Sequence, residues 1–164
     1  MTTLQRPGGC SLATPSETRS GGTSRGSSTD GRQAVARTEN EALVRGIFDA
    51  FAQKRGFALR DVFADDATWT VPGSGSMAGT FTGREEIFAF LGRLPKETDG
   101  TYASSLIDVL ASETRAAALY RASGERNGRQ LDLDQVLLFR IEDGLVQEVL
   151  ALPSDPAVFD SFWD

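Results

Sequence analysis

Four segments of alternating apolar and polar residues occupy the chain between residues 101 and 152. Strand-breaking residues separate them at Ser112–Thr114, Asn127-Gly128 and Asp143-Gly144. Asn-Gly is a preferred two-residue hairpin turn because both positions adopt positive φ. Successive strands joined by such short turns pair antiparallel. This half of the chain is therefore expected to form an antiparallel sheet.

Helices are predicted on either side of one short strand that precedes this sheet. A capping box at Thr38–Glu41 predicts the start of an amphipathic helix, and a second short helix is expected over 57–63. The short strand over 67–71 is expected to follow a turn at Asp65-Asp66. A second capping box, Thr82–Glu85, predicts a helix that ends at Pro95, and Asp155-Pro156 starts a last short helix. Helices segregated from an antiparallel sheet indicate the α+β class.

The first 38 residues differ in composition from the remaining 126. Gly, Ser and Thr fill 19 of these 38 positions, and no aromatic residue is present. Such a segment buries too little apolar surface to offset the entropy lost on ordering. We therefore expect a disordered tail over 1–38, either genuine or the product of a start codon assigned too early, and one domain over 39–164.

Charge and residue inventory exclude several classes of function. The domain has 12 basic and 21 acidic residues, so it lacks the basic surface that nucleic-acid binding needs. The chain has no histidine, which excludes a His-based triad and the usual zinc or non-haem iron sites. No apolar run reaches the ~20 residues of a membrane span. With one cysteine, Cys10, and no secretion signal, we expect a cytoplasmic protein with no metal or cofactor.

Three motifs along the domain resemble a known family. They are Phe63-Ala-Asp-Asp-Ala-Thr-Trp-Thr-Val-Pro-Gly73, Gly79-Thr-Phe-Thr-Gly-Arg-Glu-Glu-Ile87 and Phe139-Arg-Ile-Glu-Asp-Gly-Leu-Val-Gln-Glu148. Their order and spacing are similar to the SnoaL-like branch of the nuclear transport factor 2-like superfamily. The resemblance implies a cone in which a curved sheet wraps around the long first helix, with a pocket at the wide end and frequent dimerisation through the sheet.

The superfamily includes ketosteroid isomerases, polyketide cyclases, dehydratases and binding domains, so the fold alone does not define an activity. Matched to the isomerases, the catalytic base falls on Val71, which cannot accept a proton. The tyrosine of their first helix falls near Ile47 or Phe48, and their second donor falls on or near Gln135. The resemblance therefore disfavours the isomerase mechanism.

Gln135 is the one polar residue on an apolar face of strand 129–141. Its neighbours on that face are Leu131, Leu133, Leu137, Phe139 and Ile141. A buried amide lowers stability unless it is hydrogen-bonded, so Gln135 binds either a ligand or a structural partner. The opposite face carries Val136 and Leu138, which predicts that a second copy of the chain covers it.

Three carboxylates are candidates for acid–base catalysis. Glu148 shares strand parity with Val146 and Leu150 and is predicted to point inward beside Gln135. Asp134 and Asp132 lie on one face of their strand, either as a catalytic pair or as a solvated strand end. Asp66 lies before the short strand, either as a turn cap or as a base at the pocket mouth.

Aromatic and apolar residues are predicted to line the pocket. Trp69 is either a core residue or part of the wall, and its indole N–H needs a partner when buried. Tyr102 and Tyr120 either pack or donate to a ligand oxygen. Leu137 and Phe48 would complete an apolar wall.

Two functions remain open on the sequence. The first is binding of a small hydrophobic ligand in the cone, without catalysis. The alternative is a cofactor-independent cyclase, isomerase or dehydratase that uses Asp, Glu or Tyr on a polyketide- or terpenoid-like carbonyl compound. Whether the protein is an enzyme depends on whether a carboxylate reaches the interior.

Overall fold

A computed structural model of the chain describes residues 27–164. Its helical elements are α1 (Ser27–Ala52), a 3-10 helix (Gly56–Val62), α2 (Gly83–Glu97) and α3 (Pro156–Trp163). Its strands are β1 (Phe63–Val71), β2 (Gly79–Thr82), β3 (Ala103–Ala111), β4 (Arg115–Arg126), β5 (Arg129–Glu142) and β6 (Leu145–Pro153).

The six strands form one curled, unclosed sheet in the order β2-β1-β6-β5-β4-β3. Only the β1–β6 pair within it is parallel. The predicted α+β cone is therefore confirmed. Helix α1 packs on β3 and β4, α2 on β1 and β2, and α3 on β5 and β6, so all three cover the concave side.

The predicted hairpins are present at their predicted turns. Asn127 and Gly128 have φ of 51° and 76°, and Asp143 and Gly144 have φ of 51° and 75°. These left-handed values at both central positions are those of the tight turn that matches strand twist. The final helix also begins as predicted, because the Asp155 carboxylate accepts hydrogen bonds from the amides of Ala157 and Val158.

The predicted start of the first helix at Thr38 is wrong. Helix α1 begins at Ser27, and the Thr38 hydroxyl donates to the Ala34 carbonyl within the helix instead of capping it. Residues 32–37 contain good helix formers and no proline, so the helix extends toward the N-terminus. Of the predicted disordered segment 1–38, residues 27–38 are thus helical and residues 1–26 lie outside the described part.

Helix α1 is attached to the sheet by an apolar stripe and one polar contact. Val44, Ile47 and Phe48 are buried on the stripe. The buried Asn40 amide donates to the carbonyls of Ser112 and Glu113 in the β3–β4 turn, both at 2.9 Å. This contact gives the buried Asn40 amide two hydrogen-bond acceptors.

The region around β1 and α2 differs from the prediction in three ways. Asp65 and Asp66 lie within β1, not in a turn before it. The Thr82 hydroxyl makes no capping bond, and the Glu86 carboxylate accepts from the Thr82 amide instead. Helix α2 continues through Pro95 to Glu97, although Pro95 has no N–H to donate to the carbonyl four residues before it.

Candidate functional site

A polar cluster lies inside the cone, and we call it the inner polar cluster: Tyr102, Ser104, Tyr120 and Gln135. Gln135 is 3% exposed, and its Oε1 accepts a hydrogen bond of 2.9 Å from the Tyr120 hydroxyl. Tyr120 lies directly opposite Gln135 in the β4–β5 pair, which brings the two side chains together on the concave face. In the described part of the chain, Gln135 Nε2 has no hydrogen-bond partner.

The Tyr102 hydroxyl lies near those of Tyr120 and Ser104. Burial, followed by the neighbouring Tyr102, raises the pKa of Tyr120 well above that of a free phenol. Burial likewise raises the pKa of Tyr102. Both phenols therefore stay protonated at neutral pH, and they act as hydrogen-bond donors and not as proton-accepting bases.

Aromatic and apolar groups surround the inner polar cluster. The Phe48 ring on α1 lies 5.2 Å from the Tyr120 ring, and Leu137 is buried on β5 next to Gln135 along the same face. Trp163 on α3 is fully buried, with its ring 6.0 Å from the Tyr102 ring. Trp163 Nε1 has no hydrogen-bond partner among the described residues. The cluster thus combines an apolar wall with two unpaired N–H groups.

Trp69 is buried on β1 among other aromatic residues, 6.4 Å from Phe63 and 6.3 Å from Phe90 between ring centroids. Its Nε1 also lacks a partner within residues 27–164. The six residues that the sequence predicted to line the pocket all lie on the concave side, namely Trp69, Gln135, Tyr102, Tyr120, Leu137 and Phe48. Their role in binding stays a prediction.

Glu148 does not point inward, contrary to its predicted orientation. A β-bulge lies between β5 and β6, because Arg140 is opposite Glu148 whereas the next residue, Ile141, is opposite Val146. The extra residue changes the parity of β6, so Val146 and Val149 are buried and Glu148 is exposed. A hydrogen bond of 2.9 Å from Arg140 lowers the pKa of Glu148.

The other two candidate carboxylates also lie outside the cone. Asp66 is exposed on β1. Asp134 is exposed on the convex face of β5, where Arg121 contacts it at 3.1 Å and also holds Asp132. The Asp132 and Asp134 pair is therefore part of a solvated ion-pair cluster, and Arg121 lowers the pKa of Asp132. These three candidates remain untested as catalysts, but none reaches the inner polar cluster.

The loop between β1 and β2 closes against α3. Its Ser76 hydroxyl donates to the Trp163 carbonyl at 2.9 Å, and the Ser76 amide donates to Asp164 at 3.0 Å. Met77 is buried beneath the loop. At Gly75 a Cβ atom would lie 2.9 Å from an Asp160 carboxylate oxygen, so a larger residue there would have to displace the Asp160 side chain. The sequence analysis missed this contact between segments more than 80 residues apart.

The convex face of the sheet exposes large apolar side chains. Leu119, Leu138 and Leu152 are 38%, 39% and 36% exposed, and Ile107 is 58% exposed. A groove of about 120 Å³ is lined by Ile107, Leu119 and Leu152 and also by Tyr120 and Gln135. Ion pairs flank the apolar strip, Arg121 with Asp132 at one end and Arg140 with Glu148 at the other.

The inner polar cluster makes a measurable prediction about stability. Tyr120→Phe removes the partner of Gln135 Oε1 and leaves a buried amide unpaired, so we expect a loss of ~1–3 kcal/mol in the free energy of unfolding. The double variant Tyr120→Phe, Gln135→Met replaces both groups by apolar ones and should recover most of that loss. Urea denaturation measures both, and a double variant less stable than Tyr120→Phe would contradict the assignment.

Comparison with known proteins agrees with this architecture. The SnoaL-like domain family matches residues 44–149. The chain belongs to the SnoaL-like family. An uncharacterised protein of Mycobacterium tuberculosis is 35% identical to this SnoaL-like chain over 122 residues, which are 74% of this chain and 93% of the relative.

Solved structures share the SnoaL-like fold. Bal32a, from a soil-derived mobile gene cassette, is 33% identical to this chain and superimposes with a TM-score of 0.76. The match covers 79% of this chain and 99% of the Bal32a chain. TerC, co-crystallised with polyporic acid, is 18% identical and superimposes with a TM-score of 0.66. The match covers 76% of this chain and 97% of the TerC chain. The second likeness shows the fold alone. Other matching structures, 23% and 22% identical, are described as NTF2-like and share the fold. Within the described residues, no helix is long and apolar enough to cross a membrane.

Proposed function

We propose that this SnoaL-like protein binds a small, largely apolar compound inside the cone and that an acceptor oxygen of the compound, such as a carbonyl, accepts a hydrogen bond from Gln135. The observation that carries the proposal is the unpaired Nε2 of a side chain only 3% exposed. An unpaired buried donor is costly, and a ligand oxygen would relieve that cost.

The contact with Tyr120 supports this role because it orients the amide. With Oε1 held by the Tyr120 hydroxyl, Nε2 is the part of Gln135 left to donate. The neighbouring Phe48 and Leu137 are apolar, so they favour a hydrophobic body with one or a few acceptor atoms over a charged metabolite.

Binding is favoured over acid–base catalysis by the positions of the carboxylates. Asp66, Asp134 and Glu148 are exposed, and the last two pair with arginines. The phenols of the inner polar cluster have raised pKa values, so they are poor general bases. None of the three carboxylates predicted as catalytic bases therefore lies where a cyclase or isomerase would need one.

Calorimetric titration tests the binding proposal. Polyporic acid, with which TerC was crystallised, serves as the first probe, followed by a panel of aromatic polyketide-like and terpenoid carbonyl compounds. We expect a member of this set to bind, and Tyr120→Phe, Gln135→Met to weaken its affinity about tenfold or more, the equivalent of one buried hydrogen bond.

Glu148→Gln is the matched control for this titration. It changes a carboxylate on the convex face and should leave ligand affinity unchanged. Failure of the whole panel to bind at millimolar concentration would refute the proposal. Equal affinity of the double variant and the wild-type protein would also refute it.

We further propose that the chain forms a homodimer through the convex face of the sheet. Leu119, Leu138 and Leu152 are partly exposed there, and an apolar strip flanked by charged residues of both signs is typical of a protein interface. Arg121 with its two aspartates and Arg140 with its glutamates provide complementary charges for a two-fold arrangement. This complementarity favours a second copy of the chain as the occupant.

A further inference from the structure

We propose that the two copies of the dimer pack with their two-fold axis across the strands, so that Leu138 of each protomer fills a groove on its partner. This groove, which we call the convex groove, is the one of about 120 Å³ on the convex face. The inference rests on the homodimer proposed above. It adds the orientation of the two sheets and the side chain that fills the groove.

Strand register arranges the apolar residues of the convex face in two parallel rows, and each row crosses β6, β5, β4 and β3. Row A consists of Leu152, Val136, Leu119 and the β3 bulge residue Ile107. Row B consists of Leu150, Leu138, Ala117 and Leu110. The two rows together form an apolar band that is four strands long and two residues wide.

Charged residues border the apolar band on both sides. Arg121 and Asp134 lie beyond row A, and Arg115 and Arg140 lie beyond row B. A two-fold interface is self-complementary, so the band of one copy is expected to cover the band of the other. Two axes achieve this, one along the strands between β4 and β5, and one across the strands between the rows. Both place Asp134 opposite an arginine of the partner, so the charges do not select either axis.

The position of the convex groove selects the axis across the strands. The groove lies beside row A, where it is lined by residues 134–136 of β5 and residues 119–120 of β4. An axis along the strands exchanges β4 with β5, so the groove would face the partner's groove and leave a void without packing contacts. An axis across the strands exchanges row A with row B and brings the partner's Leu138 over Val136.

Leu138 has the exposure and the size that this contact requires. It is 39% exposed and does not line the groove of its own protomer. A cavity of ~150 Å³ with aliphatic walls holds a benzene ring, so a groove of about 120 Å³ accommodates one leucine side chain. Leu110 is more exposed but lies on the edge strand β3, and only an oblique axis that separates much of the two bands would bring it into the groove.

This packing also covers the strands that carry the inner polar cluster. Tyr120 and Gln135 line the convex groove, and their side chains are hydrogen-bonded to each other inside the cone. The partner's Leu138 therefore lies against the strand pair that positions the Gln135 amide. In the dimer this pair is covered by the core on one face and by the partner on the other.

Complementary substitutions in the full-length chain, without any ligand, test the axis. Leu138→Ala leaves both grooves of the dimer empty, and Val136→Phe fills each groove so that leucine no longer fits. Each variant alone should dimerise at least about 100-fold more weakly than the wild-type protein. In an equimolar mixture, the heterodimer keeps one native contact and places the introduced phenylalanine in the space left by Leu138→Ala. Its dissociation constant should lie within about tenfold of the wild-type value.

Native mass spectrometry identifies the heterodimer because the two variants differ in mass, and sedimentation equilibrium gives the dissociation constants. Ala117→Leu mixed with Leu138→Ala is the matched control. These two positions face each other across the interface only if the axis runs along the strands, so this mixture should regain no affinity. Circular dichroism checks that each variant is folded, and Val136→Leu replaces Val136→Phe if the larger side chain prevents folding.

The outcomes separate the axis from the homodimer itself. Recovery only in the mixture of Leu138→Ala with Val136→Phe supports the axis across the strands. If the wild-type protein dimerises, recovery in the Ala117→Leu mixture or in neither mixture overturns this axis and leaves the homodimer standing. A wild-type protein that is monomeric at micromolar concentration overturns the axis together with the homodimer.

Discussion

Replacing Trp163 by alanine is expected to lower the free energy of unfolding by ~3–5 kcal/mol, the range for truncating a fully buried large aromatic. Trp163 has no exposed surface. Its ring centroid lies 4.8 Å from that of Phe162 and 6.0 Å from that of Tyr102. Alanine removes these contacts and leaves a cavity between α3 and the sheet. Urea denaturation followed by circular dichroism gives the change in unfolding free energy.

Val158→Ala is the matched control on the same helix. Val158 is 43% exposed, so its truncation should change stability by no more than ~0.5 kcal/mol. Similar small losses in both variants would show that the aromatic face of α3 contributes nothing to the core.

Introducing arginine at both Leu119 and Leu138 is expected to convert the proposed dimer to a monomer. Both side chains lie on the convex apolar strip, and an unpaired charge at the centre of an interface costs several kcal/mol. The dimer dissociation constant should rise at least ~100-fold, because each 1.4 kcal/mol corresponds to a factor of ten. Sedimentation equilibrium at micromolar concentration measures this change.

Val35→Arg is the control for the introduced charge. Val35 is 56% exposed on α1, away from the sheet, and the same substitution there should leave association unchanged. A wild-type protein that sediments as a monomer at micromolar concentration would contradict the dimer directly. Dissociation by Val35→Arg as well would indicate that the convex strip is not the interface.

Local signals in the sequence predicted most elements of the fold. The Asn127-Gly128 and Asp143-Gly144 turns have the positive φ values that their residue types favour, and Asp155 caps α3. The alternation along β5 correctly assigned Gln135 to the buried face. These signals succeed because each depends on residues close together in the chain, where turn chemistry and side-chain parity are set locally.

Predictions failed where distant segments decide the result. Glu148 was assigned to the inner face by counting along β6, but the bulge opposite Arg140 changes the parity of the strand. No strand was predicted over Gly79–Thr82, which has only four residues and is ordered by pairing with β1. Trp163 was recognised as an apolar residue of a last helix, but its position beside Tyr102 depends on how that helix docks.

The sequence by itself determined the α+β class, the strands and turns of the antiparallel sheet and the family to which the chain belongs. It also identified Gln135 as an isolated polar residue on an apolar face. Only the tertiary structure decided which carboxylates face solvent and which donors stay unpaired. Hydrophobic periodicity records the environment of residues along one strand or helix, whereas strand register, bulges and helix docking depend on contacts between segments far apart in the chain.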